Sequence, residues 1–257
     1  MDLTGARLKV DRAQMHLDAL QSAALKWQGQ APEPSFVVDV EDEGRVHIVR
    51  VSGVPEVPVA WAGVLGDMLH NLRSSLDHLA WQLVIAGGGE PNRHTYFPIL
   101  KKRADRSVTS ALKGAPVEAV ERIRELQPYV RCASQAEFRN DALHMIQSLN
   151  IADKHRLLVL CATVTDTLSH EIRPDVVGAT VTLTMSPAQE GSEVMRVTNL
   201  PVAADDIGLN PSGTFAPWLA ETDETAYVAI DSLGLLVKQV TAILDGMEQV
   251  AAKYGFG

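Results

Sequence analysis

The chain has 257 residues, of which 46% are hydrophobic and 21% charged, with a formal net charge of −9. That length and composition predict a globular protein with an ample core, and the acidic balance excludes a uniformly basic coat for nucleic acid. No apolar run approaches the roughly 18 residues of a membrane span, and Asp2, Arg7 and Lys9 open an amphipathic rather than a signal-like N-terminus, which predicts a cytoplasmic protein without a membrane partner.

The two cysteines, Cys132 and Cys161, form no close pair and no metal-ligand spacing, which fits a reducing compartment. Charge is distributed unevenly. From Arg93 to Arg131 there are nine Lys/Arg against four Asp/Glu, whereas Thr165 to Thr225 has two against ten, so one part can meet an anion while the whole stays acidic.

Val10, Ala13, Leu17, Leu20, Ala24 and Trp27 recur three and four apart and predict an amphipathic helix ending near Gly29. Phe36 to Val40 and Val46 to Val51, joined by Asp42-Glu-Gly44, read as a β-hairpin. A long helix follows from Val59 to Ile85, closed by Gly87-Gly-Gly89. Shorter helices are expected at Asp105–Leu112 and Val117–Leu126, and another from Asn140 to Arg156. Strands are expected at Leu157–Val164, Ala179–Met185 and Glu193–Thr198, a loop at Asp205–Pro217, and a last helix from Ala226 to Tyr254. The whole reads as a single α+β domain over residues 1–257. A helical bundle (58–156 and 226–254) packs with a small antiparallel sheet, and 157–200 forms a β-rich segment.

Chemistry concentrates on the long helix. At about 100° per residue, Met68, Leu69, Leu72, Leu76, Leu79 and Leu83 face the core. The other half carries Asp67, His70, Asn71, Arg73, Ser74, Asp77, His78 and Trp81. Solvated helix faces are built from Lys and Glu, yet neither occurs between Val57 and Gly89. Asp, Asn, Ser and His compete for backbone hydrogen bonds and sacrifice helix propensity, so either a buried polar network or a site offsets that loss. A second polar cluster, Asp153, Lys154, His155 and Arg156, ends the Asn140–Arg156 helix. Cations there complement the helix dipole, but His144 and His155, eleven residues apart on one side of that helix, are left unexplained. These segments predict a polar pocket between the two helices.

Two chemistries compete for such a pocket. A metal-dependent hydrolase would gather His and Asp side chains around an ion, but His70 and His78 lie about 80° apart around the axis and roughly 12 Å along it, too far to share one. No metal or other cofactor is expected. Metal-free phosphodiester cleavage needs a histidine to move protons and an arginine to hold phosphoryl charge, and Arg73 and His78 supply both types.

The run Arg73-Ser-Ser-Leu-Asp-His78 resembles the Arg-x4-His signature of the HEPN ribonucleases, six residues of this chain in all. Ser74 stands where that family usually carries Asn, Asp or His. The resemblance implies an RNA or nucleotide substrate, a metal-independent endoribonuclease with Arg73 and His78 as catalytic residues, and a homodimer that sets two copies of the motif around one cleft. His70, Asn71, Asp77, Asp153, Lys154, His155 and Arg156 would support substrate binding. The competing class is a non-enzymatic interaction protein whose polar helix faces form a buried network.

Overall fold

The computed structural model describes residues 1–169, 178–184, 187–200, 211–220 and 228–256. Helix α1 (Thr4–Gln30) is followed by the hairpin of β1 (Ser35–Glu41) and β2 (Val46–Ser52), and then by α2 (Ala60–Ala86). Helices α3 (Asp105–Ala111), α4 (Val117–Glu125), α5 (Pro128–Arg131), α6 (Gln135–Arg139) and α7 (Ala142–His155) come next. Strands β3 (Leu160–Ser169), β4 (Thr180–Leu183), β5 (Glu193–Thr198), β6 (Ser212–Leu219) and β7 (Val228–Ala229) precede a 3-10 turn and α8 (Gly234–Tyr254).

The expected α+β architecture is present, with two small antiparallel sheets rather than one: β1-β2-β5-β4 and β3-β6-β7. Val49, Val51, Met195 and Val197 of the first meet Ala162, Val164 and Phe215 of the second in an apolar core of their own. A larger core belongs to the helices. The seven apolar residues Leu65, Met68, Leu69, Leu72, Leu76, Leu79 and Leu83 of α2 are wholly buried, against Ala13, Leu17 and Leu20 of α1 and Val240, Leu244 and Met247 of α8. Trp27 touches both cores, set edge-on to Trp61 at 6.3 Å, and its indole N–H donates to the Glu56 carbonyl at 3.0 Å. Among the described residues, no helix is long and apolar enough to cross a membrane.

Three expectations need correction. The strand expected from Leu157 begins at Leu160, because its partner β6 ends opposite at Leu219. The expected loop up to Pro217 is strand β6 from Ser212 onward, while 205–210 lie outside the described residues. Pro217 is tolerated there for a geometric reason. The Ala220 N–H donates across to Val159 on the β3 side, so by period-two alternation the Pro217 nitrogen faces the other edge, where β7 pairs with Trp218 and Leu219 alone. The last helix starts at Gly234 instead of Ala226, because Val228–Ala229 pair as β7 and Ile230–Leu233 form the 3-10 turn; residues 226 and 227 lie outside the described residues. Met185, the expected end of β4, lies outside them too. The short helices α5 and α6 carry no pattern long enough to be read in advance.

Candidate functional site

The polar residues of α2 divide among three directions because the helix is packed on both flanks. On one flank lies the segment that carries Phe97. The Arg73 Nη2 donates to Asp77 Oδ1 at 2.7 Å, one turn along the helix, and to the Phe97 carbonyl at 2.8 Å. Asp77 Oδ1 in turn accepts the Phe97 N–H at 2.9 Å. Both backbone groups of a wholly buried phenylalanine are therefore held by one ion pair. The Arg73 side chain is only 12% exposed. Burial pushes its guanidinium pKa down, with Asp77 and Tyr96 opposing that shift. Its Nη1 is sealed from solvent with no hydrogen-bond partner.

The same segment is also gripped by Gln127, a wholly buried residue in the link between α4 and α5. Its Oε1 accepts the Leu100 N–H at 3.0 Å, and its Nε2 donates to the Pro98 carbonyl at 2.9 Å and the Ile123 carbonyl at 3.0 Å. An irregular segment cannot satisfy its own backbone, so burying it requires side chains that do so. Arg73, Asp77 and Gln127 supply them. Nothing in the sequence singles out Gln127 as a partner of residues nearly thirty positions earlier.

Farther toward the start of α2, Gly66 meets α7. The Asp153 carboxylate lies directly on it: a Cβ at residue 66 would sit 2.6 Å from Asp153 Oδ2 and 2.7 Å from Cγ. The missing side chain lets the carboxylate settle against α2 at this point of the α2–α7 contact. Burial pushes the Asp153 pKa up, Asp67 adds to the rise and His70 opposes it. Asp67 and His70 are themselves exposed.

The other flank faces α1. The Ser75 hydroxyl, fully buried, donates to the Ala6 carbonyl at 2.9 Å. Asn71 donates to the Asp67 carbonyl at 2.8 Å, and its Oδ1 accepts from Lys9 Nζ at 3.4 Å. His78 lies exposed over Gly5, where an added Cβ would come within 2.8 Å of its Nδ1. Trp81, 42% exposed, points outward.

Arg73 and His78 consequently stand on opposite flanks of α2. Five residues advance a helix by about 500°, which leaves the two side chains about 140° apart. At the end of α7, Lys154, His155 and the following Arg156 are exposed, whereas His144 is buried with its ring tilted against Phe138 of α6 at 4.4 Å. The two α7 histidines share an azimuth as expected, but α6 covers the first turn of α7 and not the last. Among the described residues, no three His, Cys, Asp or Glu side chains gather in a geometry fit for a metal ion. Comparison with known protein families, with curated proteins and with solved structures finds no match.

Proposed function

We propose that the polar face of α2 is a non-catalytic network, in a protein that works by binding rather than by turnover. The network holds α1, α7 and the 95–100 segment on one helix. The observation that carries this reading is the state of Arg73. Its Nη2 is engaged by Asp77 and the Phe97 carbonyl, and its Nη1 has no surface that a phosphate could reach. An arginine that stabilises phosphoryl charge must present its donors to the substrate.

The test is incubation of the full chain with single-stranded RNA in the presence of chelator, beside Arg73→Met and His78→Ala. The proposal expects no cleavage by any of the three, and a loss of stability in Arg73→Met alone. Cleavage that disappears in both variants would overturn it.

A second reading, an HEPN-like endoribonuclease built across a homodimer, draws on the exposure of His78 and Trp81 along the outward side of α2. Because about 140° separates Arg73 from His78 on one helix, this chemistry needs a second copy of the chain to bring a histidine to each arginine. Activity and dimerisation then stand together. Light scattering of dilute protein, run beside the RNA assay, distinguishes the readings: a monomer without activity supports the network, and an active dimer supports the ribonuclease.

A further inference from the structure

Away from α2, the four-stranded sheet ends in an edge that is open among the described residues. Strand β1 pairs with β2 along its whole length without a bulge, from Ser35 opposite Ser52 to Glu41 opposite Val46, and no strand lies on its other side. The direction of its backbone groups follows from β2. The Val51 N–H donates to the Ser192 carbonyl at 3.0 Å, the Val51 carbonyl accepts the Gly191 N–H at 2.9 Å, and the Arg45 carbonyl accepts the Leu200 N–H at 3.2 Å, all on the side of β5. Odd-numbered residues of β2 therefore face β5, and even-numbered ones face β1. Residues directly opposite in an antiparallel ladder exchange their hydrogen bonds, so Ser35, Val37, Asp39 and Glu41 turn theirs to β2. The N–H and C=O groups of Phe36, Val38 and Val40 point out of the sheet.

The side chains of the same three residues share one face. Phe36 and Val38 pack against the core of the sheets, and Val40, 60% exposed, carries that apolar row past it. Open edges recruit further strands unless something prevents it, and β1 itself has no proline, no lysine and no bulge to do so. The deterrent lies at its ends. From Trp27 to Gly44 there are five Asp/Glu and no Lys/Arg. Glu33, Glu41, Asp42 and Glu43 are exposed, and among the described residues only Asp39 of the five has an ion pair, with Arg50 at 2.7 Å. A second copy laid antiparallel with Val38 opposite Val38 would bring the Glu33 end of one strand against the Asp42-Glu43 end of the other, and like charges so placed oppose self-pairing. The same acids attract a segment with cations at its ends. We propose that the β1 edge binds a basic peptide as an added antiparallel strand, with alternate apolar side chains beside Phe36, Val38 and Val40 and terminal Lys or Arg against the acids. The site stands apart from the α2 network, so the RNA assay does not bear on it.

The probe is the end-blocked peptide KTVTVTVK, titrated calorimetrically into the full chain beside ETVTVTVE and beside KTVTVTVK methylated on its valine nitrogens. The expected result is saturable one-to-one binding with a Kd below about 1 mM. It should be about tenfold weaker or more for the glutamate-ended peptide and lost on methylation, which removes the donors to β1. At saturation, amide exchange should slow at Phe36, Val38 and Val40 and change little at Val37 and Asp39, which β2 already protects. The double variant Glu33→Lys, Glu43→Lys alters exposed residues alone and should reverse the preference between the two charged peptides. Val38→Pro removes an outward donor without touching the β2 ladder, so it should abolish binding with the far-UV spectrum kept; if that spectrum is lost, the charge-reversed variant decides. Absence of saturable binding, equal affinity for the methylated peptide, or unchanged exchange at the outward amides overturns the site. An unreversed preference overturns the role of the acids. A concentration-dependent dimer in light scattering, with the outward amides protected in it, overturns the peptide and assigns the edge to a second copy.

Discussion

Replacing Arg73 with methionine, which keeps an unbranched apolar stem but no donor, tests the clamp on Phe97. The substitution removes the charge-assisted hydrogen bond to the Phe97 carbonyl, worth about 1.5–3 kcal/mol, and the pair with the partly exposed Asp77, worth about 1 kcal/mol, and leaves the buried carbonyl without that donor. It also removes an unpartnered buried Nη1, which in the native protein costs about 1–3 kcal/mol. At mid-range values the difference is a net loss of about 1 kcal/mol, which for a chain of this size lowers the thermal midpoint by roughly 2–4 °C. Asp77 is 38% exposed, so its coupling to Arg73 is only about 1 kcal/mol, near the upper end for solvated pairs. Urea unfolding followed by far-UV circular dichroism, for Arg73→Met, Asp77→Asn and the double variant, measures both quantities. Arg73→Met within about 0.5 kcal/mol of the native protein, or a coupling of zero, would refute the clamp.

The Gly66–Asp153 contact predicts a conditional effect. Gly66→Ala gains about 1 kcal/mol of helix propensity in an Asp153→Ala background but yields no gain in the native chain, where its Cβ meets the carboxylate; equal gains in both backgrounds would contradict this. The raised pKa of Asp153 means that the folded state holds this proton more tightly than the unfolded one. Its contribution to stability is therefore largest at low pH and is lost as pH rises above the ordinary aspartate value of 3.8. Urea midpoints across that range should fall less steeply for Asp153→Asn than for the native chain. Gln127→Leu, which unpairs the Leu100 N–H and the Pro98 carbonyl, should destabilise by about 2–4 kcal/mol, and a loss below about 1 kcal/mol would show that water replaces the amide.

The long helices were legible because each has a long apolar stripe. The α2 stripe from Leu65 to Leu83 and the α1 stripe from Val10 to Ala24 lie in the core where their period puts them. The ends of β3 and α8 were not, because pairing with β6 and β7 decides them and pairing is a tertiary event. The absence of Lys and Glu from α2 correctly marked an unusual helix face. Composition alone does not tell which flank each group serves: Ser75 and Asn71 face α1, while Arg73 and Asp77 face the Phe97 segment. Reading Arg73 and His78 as one motif treats sequence neighbours as spatial neighbours, and an interval of five residues on a helix separates them. Gly66 carried a signal that could have been used, since a glycine in mid-helix marks a close approach.

Amide hydrogen exchange over residues 95–100, compared between the native chain and Asp77→Ala, tests the clamp most directly. The Phe97 N–H, which donates to Asp77 Oδ1, should exchange about tenfold faster or more in the variant, while the Leu100 N–H, held by Gln127, changes little. Unchanged exchange at Phe97 would contradict the claim that the polar face of α2 exists to hold this segment.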